Sequence, residues 1–173
     1  MEYTTALRPG TVKRLEDIQK ADILIGIPCF NNEATIVNVI NMISEGLNQF
    51  YRDCRAVIFV SDGGSTDDTR DMAREVELRP WQEKLVQIYR GVGGKGSAFR
   101  AIFEAAVMLD VEACMVVDSD LRSISPSWVK WLLDPVLNHD FQFVAPVYTR
   151  YKYDGTITNN IVYNLTRAVY GKR

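Results

Sequence analysis

Two aspartates spaced by one residue, Asp118-Ser119-Asp120, directly follow the apolar run 113–117. Alternate side chains on extended backbone point the same way, so both carboxylates can face one ligand. Two like charges that close are costly unless a cation or hydrogen-bond donors neutralise them. A hard divalent ion, Mg²⁺ or Mn²⁺, takes carboxylate oxygens and keeps positions free for the phosphates of a substrate. The same residues can also serve as an acidic turn ahead of the next helix. The triplet by itself leaves the two uses open.

Three other polar loops carry residues able to do chemistry. In Val60-Ser61-Asp62-Gly63-Gly64-Ser65-Thr66-Asp67 the paired glycines permit a tight turn and close backbone approach to a ligand. Asp62 is placed to accept hydrogen bonds from a ribose or a base N–H, while Ser65 or Thr66 is expected to cap the following helix, with Asp67 and Asp68 in its first turn. Gly91-Val92-Gly93-Gly94-Lys95-Gly96 precedes a helix, where backbone donors, the helix dipole and one lysine combine into a phosphate site. It is not a nucleoside-triphosphate P-loop, because Gly96 rather than Ser or Thr follows Lys95. A purely conformational role for its glycines stays open. In Pro28-Cys29-Phe30-Asn31-Asn32-Glu33, Asn32 is expected to cap a helix and Glu33 to sit favourably against its dipole.

The elements that must position these loops alternate. Apolar runs at 23–27, 56–60, 85–88, 113–117 and 141–145 predict five strands. Helices are expected over 11–20, 33–47, 66–77, 95–109, 126–137 and 156–170, the fifth started by Ser125 as N-cap and Pro126 at the first helical position. Alternation of this kind predicts a Rossmann-like three-layer α/β/α fold with an open, mostly parallel sheet. Such sheets bind ligands outside the carboxyl ends of their strands, and each polar loop named above follows a strand.

The 173 residues suit one α/β domain, or a large piece of a two-part enzyme, and 47% hydrophobic residues is ordinary for a globular chain. A formal net charge of −2 gives no general pull toward nucleic acid or an anionic membrane surface. The three cysteines, Cys29, Cys54 and Cys114, lack metal-ligand spacing and lie in or beside apolar runs. They read as buried free thiols, which fits a reducing cytoplasm. Neither a signal peptide nor a transmembrane run is expected.

Taken in order, the motifs resemble the donor-binding domain of the GT-A glycosyltransferases of the family-2 type. The resemblance lies in Ile27 to Glu33, Val60 to Thr69, Gly94-Lys95-Gly96 with Ala98, and Val117 to Asp120, and it spans roughly residues 22–150. Within that group the chain is similar to the glucosyl-3-phosphoglycerate synthases and their mannosylglycerate and glucosylglycerate relatives, through Ala145-Pro146-Val147-Tyr148 and Tyr151 to Asn159. The resemblance implies an N-terminal extension over 1–21, a nucleotide-sugar-binding GT-A domain over 22–150 and the start of an acceptor-binding region over 151–173.

It also implies roles. Pro28, Asn31, Glu33 and Asp62 would hold the nucleoside, Gly94 and Lys95 the base or diphosphate region, and Asp118 and Ser119 the ribose. Asp120 would coordinate a divalent metal, Mg²⁺ or Mn²⁺, bridging the diphosphate, and Thr156 and Thr158 would lie near the acceptor. The implied reaction moves a hexose, with retained configuration, from a donor of the UDP-glucose or GDP-mannose class to a small acidic acceptor such as a phosphoglycerate. Nucleic acid is not an implied partner, and a homodimer is a possible assembly that the sequence does not fix. No side chain is identified as a catalytic nucleophile.

In those relatives a later histidine completes the metal site. His139, the single histidine here, reads instead as an ordinary surface residue. The chain is therefore expected to be part of a longer module that binds a sugar nucleotide weakly and transfers sugar poorly. The alternatives are a catalytically silent binding module and an inverting transferase acting on a lipid or polysaccharide. A nucleotidyltransferase would carry a basic, glycine-rich loop after the first strand, where this chain has Pro28-Cys29-Phe30-Asn31-Asn32.

Overall fold

The computed structural model describes residues 5–147 and 157–171, apart from the side chains of residues 158 and 159. Four strands form one parallel sheet: β1 (Ile23–Cys29), β2 (Ala56–Asp62), β3 (Gln82–Ile88) and β4 (Ala113–Val116), in the order β3-β2-β1-β4. β1 and β2 are buried along their whole length, as continuous apolar runs in a covered parallel sheet must be. The pleat divides their side chains between two cores. Ile23, Ile25 and Ile27 meet α2 (Glu33–Phe50), α3 (Thr69–Glu75) and α5 (Ser127–Asn138) through Ile40, Ala73 and Val129. Leu24, Val57 and Phe59 join the opposite core, with α1 (Pro9–Ile18) and α4 (Lys95–Met108) supplying Leu15, Ala101 and Ile102. The result is the expected three-layer α/β/α arrangement. The segment ahead of β1 is integrated in it, because Ala6, Leu7, Leu15 and Ala21 are all buried. Among the described residues no helix is long and apolar enough to cross a membrane.

Several local expectations need correction. The apolar run 141–145 forms no strand: Phe141 N–H bonds back to the Pro135 carbonyl at 3.1 Å, and Phe141 and Phe143 are 59% and 81% exposed. Residues 142–146 run beside β4 without forming a ladder with it, and an apolar run needs a paired neighbour to become a strand. α3 starts at Thr69 rather than Thr66, and its turn is held by Asp67, whose Oδ1 accepts from the Thr69 N–H at 3.1 Å and hydroxyl at 2.5 Å. Neither Ser65 nor Thr66 caps it. Asn32 holds the N-cap position of α2 as expected but makes no side-chain cap bond, and α5 begins at Ser127 with Pro126 rather than Ser125 at its N-cap. Of the thiols read as buried, Cys29 is, Cys54 is half-buried and Cys114 is exposed. The C-terminal helix begins in π geometry (Thr158–Val162), continues as α6 (Tyr163–Tyr170), and ends on Gly171 at φ 62°. Its described side chains are exposed.

One glycine sets how the site's last loop is anchored. A Cβ at Gly46 on α2 would lie 2.5 Å from the Pro126 carbonyl and 2.6 Å from Val129 Cγ2, at the start of α5. Alanine ordinarily gains about 0.8–1 kcal/mol over glycine inside a helix. Overpacking against fixed backbone costs about 1–3 kcal/mol, so the overlap should win. Gly46→Ala is expected to lower the urea midpoint with an unchanged m-value. A raised midpoint would mean that α2 and α5 are not this close.

Candidate functional site

All four strands are parallel, so the loops after β1, β2, β3 and β4 leave the same edge of the sheet. Register brings the first two side by side, since Cys29 is level with Asp62. These loops then fasten to each other. The Asn31 N–H donates to Ser65 Oγ at 2.9 Å and its Oδ1 accepts from the Thr66 N–H at 2.9 Å. The Asn32 N–H donates to Thr69 Oγ1 at 2.7 Å. Glu33 completes the pattern: its N–H donates to Asp67 Oδ2 and its Oε2 accepts from the Asp68 N–H, both at 3.2 Å. Asn31 takes φ 54°, a left-handed conformation that asparagine tolerates.

Asp62 lies at the base of this pair and is fully buried. Its Oδ2 accepts from the N–H groups of Gly64 at 2.8 Å and Ser65 at 3.0 Å, and its Oδ1 accepts from the Ser65 hydroxyl. Arg70 Nε lies 3.6 Å away as its counter-charge. Cys29 Sγ is 3.6 Å from the same carboxylate. Burial, and then the Asp62 charge, push the Cys29 thiol well up, so it stays protonated and is no nucleophile at neutral pH.

Above this base, at the strand ends, is a cavity of about 490 Å³. Of the residues singled out in the sequence, Pro28, Gly94, Lys95, Asp118, Ser119 and Asp120 line it. Asn31, Glu33 and Asp62 do not; the polar groups of Asn31 and Glu33 face the neighbouring loop, and the Asp62 carboxylate is taken up by its own turn and Arg70. Thr156 lies outside the described residues, and Thr158 falls in the π-helical turn with its side chain outside them. Phe30, Asn32, Gly63 and Tyr89 also line the cavity. Phe30 belongs to the loop expected to hold the nucleoside, whereas Tyr89 carries no sequence signal beyond its place one residue past a strand on the ligand edge.

The charged end of the cavity is made by two elements. Lys95 opens α4 with Gly94 as N-cap, and its Nζ lies 2.6 Å from Asp118 Oδ1, both side chains being about half exposed. β4 ends at Val116, so Ser119 and Asp120 sit in a turn rather than on extended backbone. Ser119 fixes that turn: its buried hydroxyl donates to Asn32 Oδ1 at 2.7 Å and its carbonyl accepts from Thr35 Oγ1 at 2.7 Å. The Asn32 side chain thus serves the turn after β4. Asp120 is exposed at the rim.

No group of three or more His, Cys, Asp or Glu able to hold a metal occurs among the described residues. Asp118 and Asp120 nevertheless offer carboxylates to one cavity. That donor set suits a hard divalent cation that draws its other ligands from water and phosphate. His139 is exposed and pairs with Asp134 at 3.3 Å, away from this cavity. A lining that combines the Phe30 ring, a lysine at a helix N-terminus and two carboxylates suits a nucleoside diphosphate with its cation.

Comparison with known proteins agrees with this geometry. Residues 24–167 match the family model described as glycosyl transferase family 2. The glucosyl-3-phosphoglycerate synthase of Mycobacterium tuberculosis (strain H37Rv) is 32% identical over 152 residues, which is 85% of this chain and 44% of that protein. The synthase of the same name from Petrotoga mobilis is 28% identical over 139 residues, 79% of this chain and 42% of its own. A crystal structure of the Mycobacterium tuberculosis synthase in complex with Mn²⁺, uridine diphosphate and glucosyl-3-phosphoglycerate superposes with a TM-score of 0.66 at 30% identity, covering 96% of this chain and 57% of that one. The chain spans about half the length of the relatives it matches. With the family model covering most of the sequence, and the fold and the loop order both in agreement, the chain belongs to glycosyl transferase family 2.

Proposed function

We propose that this chain provides the donor site of a metal-dependent glycosyltransferase that moves a hexose from a nucleoside-diphosphate sugar to a small acidic acceptor of the phosphoglycerate type. The observation that carries the reading is the single cavity shared by Lys95, at the N-terminus of α4, and the carboxylates of Asp118 and Asp120. The names of the relatives, and the Mn²⁺, uridine diphosphate and glucosyl-3-phosphoglycerate bound in the matched structure, support the choice of donor, cation and acceptor.

In this reading Pro28 and Phe30 form the wall against the base, and Asp118 with the Ser119 turn borders the ribose. Gly94 and Lys95 take the diphosphate, so Lys95 exchanges its bond to Asp118 for phosphate oxygens. Asp120, with Asp118 beside it, holds a divalent ion, whose contribution when bound is to neutralise charge growing on the leaving diphosphate. Asn31 and Glu33 support the donor site by holding its two nucleoside-side loops together, and Asp62 supports it by holding the turn at Gly64 and Ser65 in place. Thr156 and Thr158 belong to the acceptor side. A cytoplasmic location is part of the same proposal, in keeping with free thiols at Cys29, Cys54 and Cys114.

Calorimetric titration with UDP and with GDP, each with and without Mn²⁺, tests the reading. UDP is expected to bind at least about tenfold more tightly with Mn²⁺ than without, a difference of about 1.4 kcal/mol or more. Failure to bind either nucleotide under both conditions would overturn the donor-site assignment.

A further inference from the structure

Resting on the donor-site reading, we propose that Tyr89 is a positioning residue whose single hydroxyl locks the glycine loop that presents Lys95 to the diphosphate. Tyr89 stands one residue past β3, and its N–H extends the ladder by donating to the Asp62 carbonyl at 3.1 Å. Its ring is buried at 8% exposure, in the core that includes Leu85, Ala98 and Ala101. The ring is therefore immobilised by packing, while its hydroxyl reaches the wall of the cavity. There it makes two bonds to one residue. It accepts from the Gly94 N–H at 2.9 Å and donates to the Gly94 carbonyl at 3.1 Å.

Gly94 is a demanding residue to hold. Its φ is 144° and that of Gly91 is 120°, conformations that side-chain-bearing residues rarely adopt. A loop with such glycines has many other states open to it and loses much entropy on being fixed. The Gly94 carbonyl also accepts the first α4 bonds, from the N–H groups of Ser97 at 3.1 Å and Ala98 at 3.4 Å. The Tyr89 hydroxyl thus fixes the point at which α4 begins, and with it the helix dipole and Lys95 at the first helical position. Lys95 Nζ is then delivered to within 2.6 Å of Asp118 across the cavity. The diphosphate end of the site is ordered before any ligand arrives.

Tyr89→Phe keeps the buried ring and removes both bonds. In the free protein, amide hydrogen exchange over residues 91–97 is expected to accelerate at least about tenfold, with β1 and β2 unchanged. Mn²⁺-dependent UDP affinity is expected to fall about tenfold. A second arm uses Lys95→Ala, in which background Tyr89→Phe should have almost no further effect on UDP affinity, because the hydroxyl acts through Lys95. Gly94→Ala, unable to hold the same φ without strain, should give the same loop exchange with Tyr89 intact. Unchanged exchange over 91–97 in Tyr89→Phe would overturn the proposal, and so would losses that simply add in the double variant. If the unaltered protein binds no nucleoside diphosphate, the donor-site reading fails, and the exchange measurement still decides whether Tyr89 holds the loop.

Discussion

Asp120→Ala is expected to remove the Mn²⁺ dependence of UDP binding while leaving the fold as stable as before. Asp120 is exposed in the turn after β4, and its neighbour Asp118 is already matched by Lys95 at 2.6 Å. Removing an exposed carboxylate from a turn that is held by Ser119 deprives the fold of little, so the melting temperature should hold. Binding should respond very differently. A cation in this cavity has few protein ligands to draw on, because no third acidic or histidine partner lies with Asp118 and Asp120 among the described residues. Losing a residue that merely orients a metal ligand already costs metal sites about 10–100-fold in affinity, so loss of a direct ligand should reach on the order of 100-fold in Mn²⁺-dependent UDP affinity, ~2.7 kcal/mol. Weak, metal-independent UDP binding should survive through Lys95 and the aromatic wall. Asp118→Asn makes the instructive contrast: it weakens the cation's hold but also releases Lys95, and its net loss should be the smaller of the two. Titration of UDP with and without Mn²⁺ separates these outcomes. Equal Mn²⁺ dependence in Asp120→Ala and the unaltered protein would remove Asp120 from the metal site.

The parts of this site that could be read from the sequence are those set by local pattern. Ile23 to Ile27 and Ala56 to Val60 are short apolar runs that read as buried strands, and a parallel sheet then puts every loop that follows a strand on one edge. Pro28, Gly94, Lys95 and the Asp118 to Asp120 turn reach the cavity for that reason. What could not be read was the choice each polar loop residue makes between a ligand and a neighbour's backbone. Asn31, Glu33 and Asp62 have the right chemistry for a nucleoside. Asn31 and Glu33 turn it to N–H groups of the β2–α3 loop, 35 residues away in sequence, because the β1–β2 register lays the two loops side by side, whereas Asp62 closes its own turn on Gly64 and Ser65. Asn32 stands at the N-cap of α2, yet its side chain holds Ser119, across 87 residues, instead of the helix N–H groups. Phe141 to Ala145 has strand composition, yet strand formation depends on a partner edge that composition does not reveal. Tyr89 lies just past the expected strand 85–88, and nothing local shows where its hydroxyl arrives.

Asp62 carries the opposite expectation to Asp120: its replacement should cost stability first and binding only as a consequence. The carboxylate is fully buried, accepts from two backbone N–H groups and a hydroxyl, and faces Arg70 at 3.6 Å. Asp62→Ala leaves the Gly64 and Ser65 amides without their acceptor and the Arg70 guanidinium, 30% exposed, without its counter-charge. Breaking a buried pair by removing one partner costs about 3–5 kcal/mol, a large share of the 5–15 kcal/mol that typically holds a domain together. Asp62→Asn keeps the shape and one acceptor oxygen, so it should fall between, and Arg70→Met should recover part of the Asp62→Ala loss by removing the stranded charge. Chemical denaturation measures these differences. UDP affinity, corrected for the folded fraction, should drop modestly in Asp62→Asn, since the loops that line the nucleoside end loosen while Lys95 and Asp120 are untouched. The opposite pattern, an Asp62→Asn protein as stable as the original but unable to bind UDP, would mean that this carboxylate turns from Gly64 and Ser65 to the nucleoside when the ligand enters.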